Sequence, residues 1–382
     1  MIALLALQVA AGAAGSATPP ARFDAATFDR IVEDGIRRGS YPGAVLIVGR
    51  HDAVVFAKGY GRFTWRASDR RPDPDSTVWD IASLTKVVAT TTALMHLVER
   101  GRVVLDSPVV RYLPAWRAPG ASRVTVRQLL SHTSGMPAYL PLHRLAPDRD
   151  SALRIVYATG PRRGSGGVVY SDLNAILLGE LVGSVSGVPL DEYWRRETAV
   201  PLGLARSGFR PPRAWRAWTV PTGVWRGTPV AGVVNDPNAH VLGGVAGHAG
   251  LFASGRDVAR FAQLMLAEGE LPNGRRLFRR EIVQGFTRVA VPARGGASAR
   301  ALGWQALPTD EAVSSAGTRL GPRTYGHTGW TGTSLWIDPD RDLFVLLLTN
   351  RAYAPRSSRS FTVLKEVRGR VADAAAEASD AR

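Results

Sequence analysis

Ser83 and Lys86 stand three residues apart in the stretch Ile81-Ala82-Ser83-Leu84-Thr85-Lys86. On a helix, positions i and i+3 share a face, so hydroxyl and amine can touch. Val87, Val88, Leu94, Leu97 and Val98 recur at helical intervals and Gly101 ends the run, which predicts a helix starting at the serine. There the free backbone N–H groups and the positive end of the dipole gather. A serine hydroxyl is a poor nucleophile until a neighbouring base takes its proton, and a lysine one turn away can do so if its pKa is lowered. Lysine occurs only at Lys58, Lys86 and Lys365, with arginine supplying nearly all the positive charge, so its placement here is not compositional drift. Alone, Ser-x-x-Lys reads as an amphipathic helix with a serine cap. Two later stretches change that reading.

The first is Val169-Tyr170-Ser171-Asp172-Leu173-Asn174, followed by the apolar run Ile176-Leu177-Leu178-Gly179. Tyr170 falls just ahead of a helix, where a side chain can project into a cleft, and a phenol beside an ammonium can relay protons. Asp172 can cap that helix. The second is Tyr325-Gly326-His327-Thr328-Gly329-Trp330-Thr331-Gly332-Thr333, leading into a strand. Its small residues permit close backbone approach and expose N–H groups for an oxyanion. His132, His240 and His248 match no metal-ligand spacing, and Gly243–Gly250 lacks the Gly-Lys-Ser/Thr end of a phosphate cradle. Neither metal nor cofactor is expected.

Ser-x-x-Lys, then Tyr-x-Asn/Asp, then Lys/His-Thr-Gly, in this order, resembles the serine β-lactamase and penicillin-binding-protein superfamily, and within it the class C β-lactamase-related hydrolases, D,D-peptidases and esterases. Val126–Gly135, Asn235-Asp236-Pro237-Asn238-Ala239 and Leu348-Thr349-Asn350-Arg351 also resemble this branch, so the likeness spans roughly residues 25–365. The resemblance implies that Ser83 is acylated, that Lys86 is its base or proton partner, and that Tyr170 is the second acid/base. It implies an oxyanion hole from the backbone N–H groups of Ser83 and Trp330. Asp172, His327, Thr328, Gly329, Asn350 and Arg351 are the expected substrate-binding positions. Two positions depart from the pattern. Asp172 replaces the usual asparagine and favours the ammonium form of Lys86, shifting proton transfer toward Tyr170. His327 replaces the usual lysine, exchanging a fixed cation for a group charged only in mildly acid conditions. Arg351 or a neighbouring arginine is the candidate replacement. Both departures make ester or D-amino-acid peptide chemistry the expectation over efficient β-lactam hydrolysis. The alternative is a non-catalytic sensor or scaffold of cell-wall fragments on the same fold, against which the retained Ser83, Lys86 and Tyr170 argue.

The elements that must position these residues are legible at both ends of the chain. Residues 23–38 form an amphipathic helical pattern (Phe23, Phe28, Ile31, Val32, Ile36). Gly43–Gly49 and Ala53–Ala57 flank Arg50-His51-Asp52 as a hairpin, and Ser334–Ile337 and Leu343–Thr349 flank the turn Asp338–Asp342. A final helix is expected from Phe361 to Ala376. Capping boxes at Thr125-x-x-Gln128 and Ser254-x-x-Asp257 open two more helices. With strands at the ends and helices between, the expected architecture is α+β: one antiparallel sheet built from both termini, flanked by helices, with an inserted mainly helical region. The expected division is a signal peptide at 1–17 and a single domain at 22–370, its α/β part about 22–82 and 300–370 and its helical part about 83–299.

The chain has 382 residues, 45% hydrophobic, which is enough for a large core. Its formal net charge is +16, but the arginines are scattered without a motif or aromatic-basic platform, so a nucleic-acid partner is not expected. The absence of cysteine excludes disulfides and thiolate nucleophiles. Ile2–Ala14 is an apolar run followed by small residues, the pattern of a secretory leader cleaved near Ala14 or Ala17, which places the protein in the periplasm or outside the cell. Expected partners are a small-molecule or peptidoglycan-like substrate, without a stable membrane span. Trp215, Trp218 and Trp225, in the Pro/Arg-rich stretch 211–226, fit a substrate groove or a core cover equally well.

Overall fold

The computed structural model describes residues 24–162, 167–295, 298–309 and 314–381. The leader expected at residues 1–17 lies outside them. In chain order the strands among these residues are β1 (Gly43–Gly49), β2 (Val54–Gly61), β3 (Val78–Asp80), β4 (Ser207–Phe209), β5 (Gly223–Trp225), β6 (Thr228–Val230), β7 (Leu251–Ser254), β8 (Gln305–Ala306), β9 (Tyr325–Thr328), β10 (Ser334–Asp338) and β11 (Leu343–Thr349).

Six of them form one antiparallel sheet in the order β2-β1-β11-β10-β9-β8. Strands from both chain ends therefore meet at its centre, where Ala44 pairs with Thr349 and Gly49 with Phe344. The seven residues of β1 and the seven of β11 are all buried, as strands covered on both faces must be. Side chains alternate between two cores. Val45, Ile47, Leu346 and Leu348 join the large core of the helical region, while Ala44, Leu46, Val48 and Leu347 pack with Phe28, Val32, Val367 and Val371. The latter face is covered by two helices, Ala25–Arg37 and Ser360–Asp380. The first starts because the Asp24 carboxylate accepts from the Ala26 N–H at 3.1 Å, and its apolar stripe buries Phe28, Ile31 and Val32.

The expected α+β architecture is what the structure shows, with two additions. The helical region also carries a small sheet, β3-β7-β4, and the hairpin β5-β6. Most of these strands are three residues long, too short for a period of two to show in sequence. The last helix also continues to Asp380, beyond the expected Ala376.

Candidate active site

The predicted helix at Ser83 is three segments in succession. A 3₁₀ turn spans Ala82–Leu84, a π-helical stretch follows at Lys86–Thr91, and an α-helix runs over Thr92–Glu99. π-Helical turns within helices commonly occur at functional sites. Ala82 has φ +48°, a left-handed conformation that costs a non-glycine residue energy and persists only when its surroundings impose it. The constraint is visible. The buried Asp80 carboxylate accepts from the Ala82 N–H at 2.9 Å and, through its other oxygen, from the Asn235 N–H at 2.7 Å. Thr331 and Thr333 donate to the carbonyls of Asp80 and Ile81 at 2.8 and 2.9 Å. Burial pushes Asp80 up to about 6 against the opposing effect of the two N–H donors.

Lys86 is 3% exposed. Its Nζ donates to Ser83 Oγ at 3.1 Å, to Asp172 Oδ1 at 2.7 Å and to the His248 carbonyl at 3.0 Å. Burial alone would lower its pKa, but the Asp172 carboxylate and Tyr170 outweigh burial and raise it. Burial likewise opposes ionisation of Asp172, yet Lys86 and His248 hold its carboxyl below the usual range. An ammonium has three protons, and each has an acceptor here. Asp172 is the first residue of the helix Asp172–Ser186, while the cap role expected of it belongs to Ser171, whose Oγ accepts from the Asn174 N–H at 3.3 Å.

Tyr170 is half-buried beside this cluster. Its ring lies 5.0 Å from Lys86 Nζ and 5.3 Å from the Arg300 guanidinium, between the rings of His132 at 4.8 Å and His327 at 5.7 Å. Both histidines are buried and neutral. His132 Nδ1 accepts from the Ser171 N–H and Asn174 Nδ2, each at 3.2 Å, which leaves the proton on Nε2. Burial, Arg300 and Lys86 hold it far below the ordinary histidine range. His327 Nδ1 donates to the Thr328 carbonyl at 2.8 Å, and its buried Nε2 has no hydrogen-bond partner among the described residues. Burial first, then Lys86 and Arg300, push it down to about 3. The expectation that His327 gains charge in mildly acid conditions is therefore corrected: it stays neutral well below that range.

A cavity of about 260 Å³ opens over these groups, lined by Ser83, Tyr170, Ser298, Arg300, Gln305, His327, Thr328, Gly329, Trp330 and Phe361. Gly329 acts through close packing: a Cβ there would lie 2.2 Å from Thr333 Oγ1 and 2.8 Å from the Ile81 carbonyl. The end of β9 thus sits directly against the turn that carries Ser83. Among the described residues the Trp330 N–H donates to no protein acceptor. Its orientation is fixed from behind, because buried Arg368 Nη2 donates to the Gly329 carbonyl at 3.1 Å and to the Thr333 carbonyl at 2.7 Å. In a trans peptide C=O and N–H point opposite ways, so this anchor turns the Trp330 N–H away from Arg368.

Asn350 and Arg351 do not line the cavity, and their expected substrate-binding role is corrected. Asn350 is fully buried, accepts from the Gly43 N–H and donates to the carbonyls of Phe63 and Pro221. With its amide committed to three backbone groups it joins β11 to two loops. Arg351 donates to the Trp330 carbonyl and stacks 4.7 Å from the Trp330 ring. The cavity cation is Arg300 instead. Sequence reading also missed the loop around His248. Gly247 and Gly179 abut, with a Cβ on Gly247 only 1.9 Å from the Ala175 carbonyl. This contact, with Asp236 Oδ1 3.0 Å from His248 Nε2, delivers the His248 carbonyl to Lys86. The glycines of 243–250 were the available signal, but a backbone carbonyl ligand leaves no residue type to recognise.

Known proteins carry the same arrangement of chain. Residues 28–367 match the family model described as Beta-lactamase. The chain is 32% identical over 367 residues to an N-acetylmuramyl-L-alanine amidase of Bacillus subtilis, covering 86% of this chain and 81% of that protein. It is 30% identical over 362 residues to an Escherichia coli K12 protein named "Putative D-alanyl-D-alanine carboxypeptidase", covering 86% and 82%. Among solved structures, a penicillin-binding protein homologue from Caulobacter crescentus superposes with a TM-score of 0.72 at 20% identity, over 95% of this chain and 99% of that one. At that identity the likeness is one of fold.

Proposed function

Because the chain belongs to the Beta-lactamase family, we propose that it is a serine hydrolase acting through an acyl-enzyme on Ser83, with esters and D-amino-acid peptides as substrates ahead of β-lactams. In this reading Tyr170 reacts as the phenolate: Ser83 Oγ adds to the carbonyl carbon as its proton passes to the phenolate oxygen, which makes the neutral phenol. The oxyanion is met by the N–H groups of Ser83 and Trp330. As the tetrahedral adduct collapses, Tyr170 returns the proton to the leaving oxygen or nitrogen. Water then repeats the sequence on the acyl-enzyme, freeing acid and Ser83.

The observation that carries this reading is the full engagement of the Lys86 ammonium by Ser83, Asp172 and the His248 carbonyl. It orients the Ser83 oxygen and holds its electrostatic surroundings, but with all three protons engaged and its pKa raised it is a poor acceptor. The shuttle therefore falls to Tyr170. The substrate preference rests on His327, which is neutral where a lysine would hold a carboxylate. The apolar N-terminal run and the absence of cysteine support action outside the cytoplasm.

Intact-mass spectrometry after a fluorophosphonate, a fluorescent penicillin and p-nitrophenyl butyrate tests the nucleophile. kcat/KM for the ester, a D-Ala-D-Ala peptide and nitrocefin tests the substrate. We expect an adduct on Ser83 and a higher kcat/KM for the ester or peptide. A folded protein with no adduct from any reagent overturns the hydrolase reading, and a preference for nitrocefin overturns the substrate order.

A further inference from the structure

Residues 198–235 contain no aspartate or glutamate, yet carry Arg206, Arg210, Arg213, Arg216 and Arg226 together with Trp215, Trp218 and Trp225. In the structure this run forms the 3₁₀ segment Arg213–Trp218 and the hairpin β5-β6. The hairpin is a two-stranded sheet of its own, which in water has little independent stability. Its tip is apolar and bare: Trp225 is 68% exposed and Val224 48%, with Pro229 exposed beside them. Trp218 is 37% exposed. Among the described residues Arg213, Arg216 and Arg226 are exposed and form no ion pair with a carboxylate.

We propose that this Trp/Arg hairpin docks the protein peripherally on an anionic lipid bilayer surface. Tryptophan and arginine together suit that interface, the indole settling at headgroup depth while guanidinium groups meet phosphates. The acid-free run supplies the charge complementarity. A polynucleotide is the less suitable polyanion, because the tip sets its tryptophan beside Val224 and Pro229, aliphatic groups that bury in a lipid interface and give a base nothing to stack on. No single helix among the described residues is long and apolar enough to span a bilayer. The hairpin stem is tied to the catalytic turn. Asn235 Nδ2 donates to the Thr222 carbonyl at 2.7 Å, and Asp80 accepts from the Asn235 N–H while holding Ala82.

Co-sedimentation of the full chain with vesicles tests the proposal. Vesicles of phosphatidylglycerol and phosphatidylcholine in equal parts are compared with phosphatidylcholine alone, at low and high salt. We expect binding to the anionic vesicles that weakens with salt. The Trp225→Ser variant and the Arg213→Ser, Arg216→Ser, Arg226→Ser variant should each lose roughly tenfold or more in partition, at unchanged Tm. All three proteins share the apolar N-terminal run, so the difference reports the hairpin. Equal partition by wild type and variants overturns the proposal. So does binding of a DNA oligonucleotide that the same variants abolish while anionic vesicles remain unbound.

Discussion

At the scale of single residues, the proposed mechanism separates a group that attacks from a group that moves its proton. Ser83→Ala should leave the fold intact and lower kcat on the order of 10³-fold or more, with loss of the covalent adduct. Tyr170→Phe should lower kcat by a similar order while Ser83 still reacts slowly with a fluorophosphonate; unchanged turnover in a folded Tyr170→Phe protein contradicts the shuttle. His327 makes a pH prediction. Its folded pKa of about 3 lies below its ordinary value of 6.5. The stability it contributes is therefore complete above 6.5 and is lost as pH falls through 3. The kcat/KM profile should show no limb near 6.5 from this group, and the His327→Lys variant should raise nitrocefin turnover relative to p-nitrophenyl butyrate. That Ser83, Lys86 and Tyr170 come together was legible in sequence, because the motifs that carry them are spelled in their side chains. Asn350 and Arg351 misled because their amide and guanidinium bind the protein's own carbonyls, which a motif spelled in residue types does not reveal.

At the scale of elements, the Trp330 side of the cavity depends on how β9 ends. Gly329→Ala forces a methyl against Thr333 Oγ1 and the Ile81 carbonyl, so the strand end must move off the Ser83 turn. We expect a stability loss of about 1–3 kcal/mol by denaturant titration and a larger fractional loss in kcat than in substrate affinity. Arg368→Met leaves the Gly329 and Thr333 carbonyls without their guanidinium. It should lower kcat while leaving KM nearly unchanged, because an N–H aimed at an oxyanion acts only in the transition state. Two capping boxes were predicted from sequence. At Thr125 both halves form. At Ser254 the hydroxyl caps Asp257, but the Asp257 carboxylate turns to the Arg206 N–H and the Ser207 hydroxyl, tying β4 to this helix. Competition from a tertiary partner decides such cases, and sequence spacing carries no record of it.

At the scale of the whole molecule, the sheet joining both chain ends was legible, because its strands β1 and β11 are apolar runs bounded by turn residues. The 3₁₀-to-π start of the Ser83 helix was not, because apolar spacing does not distinguish these helix types at one or two turns. Acid stability belongs to this scale. Burial alone would raise the Asp236 pKa, yet its hydrogen bond with His248 and further partners bring it from 3.8 to about 2. Its stabilising contribution is therefore complete above 3.8 and lost as pH falls through 2. Asp236→Asn should lower Tm at neutral pH, with the gap to wild type closing between those values. The pairing of β1 with β11 also imposes an order in time. β1 pairs with β2 as soon as that strand follows, but its other edge waits for all the residues between Gly61 and Leu343, so the sheet is a late event and one edge of a wholly apolar strand stays open meanwhile. That open edge must be kept from its siblings until Leu343–Thr349 arrives, and a truncation ahead of Leu343 yields no smaller fold but an aggregate.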